Sequence, residues 1–183
     1  MSKGVKDNTL LREPSDYHYN ELINFFTSKK NQSDFINEII NNANLKSKTE
    51  LENIATSSIC ELKKRETEMN KYSELRDCHI ITSSNFINDN YKKKLLFYSM
   101  NHPTKYVLQN IAEKIVTLLK IDSKIDYNID PLHISERGII YKCIEKVVDF
   151  NIENHKPRLS KYNMESIEDI VNKYYEIYEK SQL

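Results

Sequence analysis

The chain has 183 residues, 39% of them hydrophobic, with 27 Lys+Arg against 27 Asp+Glu and only two glycines. The length suits one domain with a proper core, and a formal net charge of zero argues against a nonspecific nucleic-acid binder, which is usually basic. With glycine only at Gly4 and Gly138, phosphate-cradling loops and dinucleotide folds are excluded, because both need clustered Gly; tight-turned sheet architectures are disfavoured for the same reason.

Met1 to Pro14 is polar and reads as a mobile N-terminal tail, with nothing resembling a signal peptide. Ser15 or Asp16 can cap a first helix whose apolar face holds Tyr19, Leu22, Ile23, Phe25 and Phe26. Phe35, Ile36, Ile39 and Ile40 form a short second helix. Ser47 and Glu50 fit a capping box, which predicts a long helix to about Arg76 with a fully polar middle at Lys63 to Glu68. Cys78 to Thr82 is an extended connection. The next helix runs from Ser84 or Asn85 through Met100.

The most apolar stretch follows. Pro103 suits a first helical turn. Leu108, Ile111, Ile115 and Leu118 predict a buried helix to about Ile121. Ile139, Ile140, Cys143, Ile144, Val147 and Val148, again at helical spacing, predict its partner from Asp130–Pro131 or Ser135 to about Ile152. A last helix opens at Asn163 or Glu165 and carries Ile167, Ile170, Val171, Tyr174, Ile177 and Tyr178 as one stripe. The pattern therefore predicts an all-α fold: a single compact domain over 15–183, a bundle of roughly six or seven helices around a central apolar helical pair.

Candidate chemistry is sparse. The five histidines are isolated and the three cysteines, Cys60, Cys78 and Cys143, form no CxxC; no metal site, cofactor or catalytic set is expected. Free thiols and the absence of a roughly 20-residue apolar run predict an intracellular protein of a reducing compartment with no membrane span. The richness in Asn, Lys, Ile and Tyr resembles translation of an AT-rich genome.

Two basic runs lie beside tyrosines: Lys92, Lys93 and Lys94 after Tyr91, and Arg158 and Lys161 before Tyr162. Phosphates favour such groups and bases stack on Tyr. Pro131-Leu132, Glu136-Arg137, Ile139-Ile140 and Ile144-Glu145-Lys146 resemble a helix of the arginine-three-histidine domain family, with Tyr141 standing where that family has His. The resemblance implies single-stranded nucleic-acid binding through Arg137, Tyr141, Arg158 and Lys161. Surplus amphipathic surface points elsewhere. Tyr175 and Met164 border the last stripe, and Met69 and Tyr72 resume an apolar stripe on the long helix. Exposed Tyr suits interfaces. The reading that follows is a non-enzymatic protein–protein interaction module, an adaptor or regulator with an unidentified protein partner, and nucleic-acid binding is the alternative.

Overall fold

The computed structural model describes residues 19–76, 78–122, 125–126 and 128–181. The expected tail over 1–14 and the cap at Ser15 or Asp16 lie outside them. The described chain is mostly helical, with six α-helices and one small two-stranded sheet. No helix among the described residues is long and apolar enough to cross a membrane. The chain forms two compact units. Unit 1 is Met1–Leu45, Glu136–Cys143 and Glu153–Leu183; unit 2 is Lys46–Ser135 and Ile144–Ile152.

Unit 1 is built on aromatic packing. Helix α1 (Asn20–Thr27) ends without glycine. Lys29 takes a left-handed φ of 58°, its amide bonds Phe26 O and the Lys30 amide bonds Phe25 O, which is a Schellman closure. Asn31 then caps α2 (Gln32–Phe35) by accepting from the Asp34 amide at 2.8 Å, and α2 widens into a π-turn over Ile36–Ile40. Helix α6 (Ile167–Lys180) starts where Ser166 Oγ accepts from the Asp169 amide. Its stripe of Ile170, Val171, Tyr174 and Tyr178 is buried against Leu22 and Phe35, with edge-on contacts such as Phe26–Tyr178 at 5.5 Å.

Unit 2 starts from the capping box. The Ser47 amide donates to Glu50 Oε2 at 2.7 Å, and the Glu50 amide donates to Ser47 Oγ at 3.2 Å. Helix α3 (Lys48–Arg76) is one unbroken helix of 29 residues, about 43 Å long at 1.5 Å per residue. Its polar middle has a task. Glu66 accepts from the Ser83 amide at 2.6 Å and from the amide and hydroxyl of Ser84, and so closes the N-terminus of α4 (Ser84–Asn90) from 17 residues away. Helix α5 (Lys105–Leu119) ends, like α1, in a left-handed lysine, Lys120 at φ 53°. A lysine ammonium anchors it laterally: Lys114 Nζ donates to Thr82 O at 2.5 Å.

Three expectations need correction. The helix predicted through Met100 stops at Asn90. Phe97–Ser99 (β1) pairs antiparallel with His102–Pro103 (β2), and Pro103, which lacks a backbone N–H, sits in that short edge strand instead of opening α5. The partner helix over 135–152 does not form. Gly138 and the β-branched pair Ile139-Ile140 are poor helix formers, and their neighbourhood bonds elsewhere. Arg137 and Arg158 exchange both backbone hydrogen bonds, at 3.0 and 2.9 Å, and the Ile139 amide donates to the Tyr19 hydroxyl. Of helical structure this stretch keeps the 3₁₀ turns at Lys142–Lys146 and, at its end, Ile152–Asn154; another follows at Ser160–Tyr162. The central apolar pair therefore does not exist. Helix α5 leaves Ile115 38% exposed and Leu118 exposed as well; Val107 is its buried residue among the described ones.

Candidate functional site

The hairpin between α4 and α5 organises the polar chemistry of unit 2. At its base the Thr104 amide donates to Leu96 O at 2.9 Å and Thr104 Oγ1 donates to Leu95 O at 2.8 Å. Buried Thr104 thus ties the two arms together, with Lys94 just before one arm and Lys105 just after the other. The two ammonium groups meet at one ring: Lys94 Nζ is 4.6 Å and Lys105 Nζ 5.7 Å from the Tyr106 centroid. An ammonium over an aromatic face is held by the ring quadrupole.

This ring and both lysines line a solvent-open pocket of about 370 Å³. Lys105, Gln109 and Glu113 contribute one row of α5 at four-residue spacing, Tyr106 and Asn110 the adjacent row, and Phe86 of α4 the opposite wall. The Asn110 side-chain oxygen is buried with no hydrogen-bond partner among the described residues. The pocket therefore combines two cations, one carboxylate, two aromatic rings and two side-chain amides. Such a lining suits a ligand with an anionic end and a flat or hydroxyl-bearing end.

The hairpin also holds a hydroxyl–imidazole pair. Ser99 Oγ lies 2.5 Å from His102 Nδ1, close enough for the imidazole to take the hydroxyl proton. Next to Ser99 in sequence, the Tyr98 hydroxyl donates to Asp130 Oδ2 at 2.7 Å, while Asp130 Oδ1 is buried without a partner among the described residues. Among the described residues no three His, Cys, Asp or Glu side chains converge as a metal-ligand set. Cys60 and Cys78 are exposed and Cys143 is buried.

The residues singled out from the sequence are scattered. Lys92 is held by Glu52 at 2.7 Å, a pairing that raises the lysine pKa and lowers that of the carboxylate. Lys93 is exposed, and Lys94 alone of the three lines the pocket. Arg137, Tyr141, Arg158 and Lys161 belong to unit 1. There Tyr141 packs on the core, where burial, then Glu21, pushes its phenol pKa up, and Lys161 lies 5.7 Å from the Tyr162 ring. Met69 and Tyr72 are exposed on α3. Met164 packs partly against the unit 1 core. Tyr175, expected at the exposed border of its stripe, is only 5% exposed. Its ring meets Phe26 at 5.3 Å and its hydroxyl donates to Lys30 O. Helices α1 and α2 both cover α6, so the buried arc is wider than one stripe. Sequence reasoning passed over Lys105, Gln109 and Glu113, and Asn110 beside them; the polar column of Lys105, Gln109 and Glu113 at four-residue spacing inside an otherwise apolar helix was the available signal.

No curated protein matches the chain. A solved structure of WcbI, described as a novel polysaccharide biosynthesis enzyme and as the native protein without a disulfide bond between coenzyme A and one of its cysteines, shares the fold at a TM-score of 0.55 and 21% identity. The match covers 87% of this chain and 52% of that one, so the chain spans about half the length of this relative. A family model described as "Polysaccharide biosynthesis enzyme WcbI" matches residues 3–124, two thirds of the sequence and every residue lining the pocket. That match overturns the expectation of a non-enzymatic adaptor, with nucleic-acid binding as its alternative: the chain belongs to the WcbI family of polysaccharide biosynthesis enzymes.

Proposed function

We propose that the chain acts as an enzyme of polysaccharide biosynthesis and that the pocket between α4 and α5 seats a phosphorylated ligand. The observation that carries this reading is the position of the pocket, which lies wholly within the residues matched by the family model. The chemistry is consistent with it. Lys94 and Lys105 are compact, hydrated point charges suited to phosphate. Both ammonium groups lie within reach of the Tyr106 ring face. A planar base or a sugar face can lie on Tyr106 or Phe86, and the amides of Gln109 and Asn110 suit hydroxyl groups. The solved relative is described with coenzyme A, a phosphorylated carrier; the same class of ligand fits here.

Calorimetric titration with coenzyme A and with UDP-glucose tests the seat. One of the two should bind, with an affinity that falls as salt rises. Lys94→Ala and Lys105→Ala should each weaken binding by about tenfold or more, the size of one charge-assisted hydrogen bond. Binding by the double variant equal to that of the unmodified chain would place the ligand elsewhere.

A further inference from the structure

Unit 1 contains a second cluster that the pocket does not use. Arg137 and Arg158 stand directly opposite each other in an antiparallel bridge, so their side chains leave on the same face. Like charges placed there repel. One oxygen relieves them: Glu165 Oε1 accepts from Arg137 Nη2 at 3.1 Å and from Arg158 Nη1 in a closer contact. Asn163 Oδ1 accepts from Arg158 Nη2 at 3.1 Å. The neighbouring Glu136 is engaged otherwise, taking the amide and hydroxyl of Ser160.

The arginines remain short of acceptors. Each guanidinium carries five N–H donors, and the Nε of both is buried with no partner among the described residues. A buried charged donor without an acceptor is costly. The two guanidinium groups also share Glu165 as their one ion-pair partner among the described residues. Their side chains are 23% and 22% exposed, whereas Glu165 is 42% exposed and therefore the member that can leave.

We infer that Arg137 and Arg158 form an oxyanion site now occupied by the chain's own Glu165, and that its ligand is a small carboxylate or phosphate group, as on an acidic or phosphorylated sugar. Such a group brings two or three oxygens where Glu165 brings one to the pair, and arginine matches it as a two-pronged fork. The site lies in unit 1, outside the family-matched residues, and its existence does not depend on the pocket reading.

The test uses the full chain, with inorganic phosphate and D-glucuronate as separate probes followed by NMR at the arginine side chains. Glu165→Gln keeps the shape and removes the competing charge. It should bind one or both probes roughly two- to fivefold more tightly than the unmodified chain, the effect of removing one partly exposed ion-pair competitor. Arg158→Gln added to Glu165→Gln should abolish that binding, and Arg137→Lys added to it should weaken it, since charge remains but the fork is lost. Binding of phosphate alone or glucuronate alone identifies the anion class and supports the site. A Glu165→Gln chain that melts cooperatively yet binds neither probe, or a Glu165→Gln/Arg158→Gln chain that binds as well as Glu165→Gln, overturns it and leaves the cluster as a structural clamp.

Discussion

The two units place apolar residues in opposite ways. Unit 1 buries Tyr174, Tyr175, Tyr178 and Phe35 in one cluster under short helices. Unit 2 is strung along α3 and α5, and its helices leave Ile54, Met69, Ile115 and Leu118 exposed. The same amphipathic periodicity thus produced a closed core in one region and half-covered helices in the other. Periodicity reports which residues share a face; whether that face is covered depends on a second element arriving. In unit 1 the covering elements arrive from far along the chain, α1 and α2 packing on α6. In unit 2 the expected partner of α5 was diverted into 3₁₀ turns.

Substitutions can break this comparison. Tyr178→Ala removes a fully buried ring with aromatic neighbours at 5.5 and 6.0 Å and should cost about 3–5 kcal/mol in urea denaturation; a cost near that of a surface change would mean that unit 1 has no closed core. Glu66→Ala should cost about 1–3 kcal/mol by orphaning part-buried donors at the start of α4. The same variant should lose amide protection at Ser83 and Ser84, and unchanged protection would show that the cap contributes nothing. Ile115→Ala is expected to stay within about 0.5–1 kcal/mol, because its side chain keeps substantial contact with water. A loss of several kcal/mol would reveal a cover over α5 and erase the contrast.

The smallest expected effect is a pH slope in unit 1. Burial, then the Arg137 charge, lowers the pKa of His155. The unfolded chain therefore takes up this proton first as pH falls, so the neutral imidazole contributes stability that is intact above about pH 6.5 and lost as pH drops toward the lowered folded value. His155→Gln should flatten the stability profile below about pH 6.5 and leave it unchanged above. An equal slope in both chains would remove His155 from the balance.

The parts of the fold legible from sequence are those set by neighbours in the chain. Ser47 and Glu50 announced the start of α3 because a capping box is a three-residue contact. The stripe of α6 was readable because its face is buried. What escaped is what distant residues decide. Arg137 bonds Arg158, and Tyr19 reaches the Ile139 amide across 120 positions, so a segment with helical spacing became irregular. The pocket escaped for a related reason. Lys94 and Lys105 are brought to one ring by a hairpin that itself was not foreseen.

The left-handed residues Lys29, Lys120 and Asn163 carry a consequence for how this chain can evolve. Glycine is the residue that adopts this conformation without penalty, and for other L-residues it costs roughly 1–2 kcal/mol. Glycine codons are built from GG, whereas lysine and asparagine codons are built from AA. A mutational drift toward A and T therefore fills such positions with the costlier residue for reasons unrelated to folding. Lys29→Gly and Lys120→Gly each recover part of that strain, offset in part by the greater freedom of glycine in the unfolded chain. The helix ends are thus places where the chain can gain stability through its backbone alone, without altering a single buried side chain.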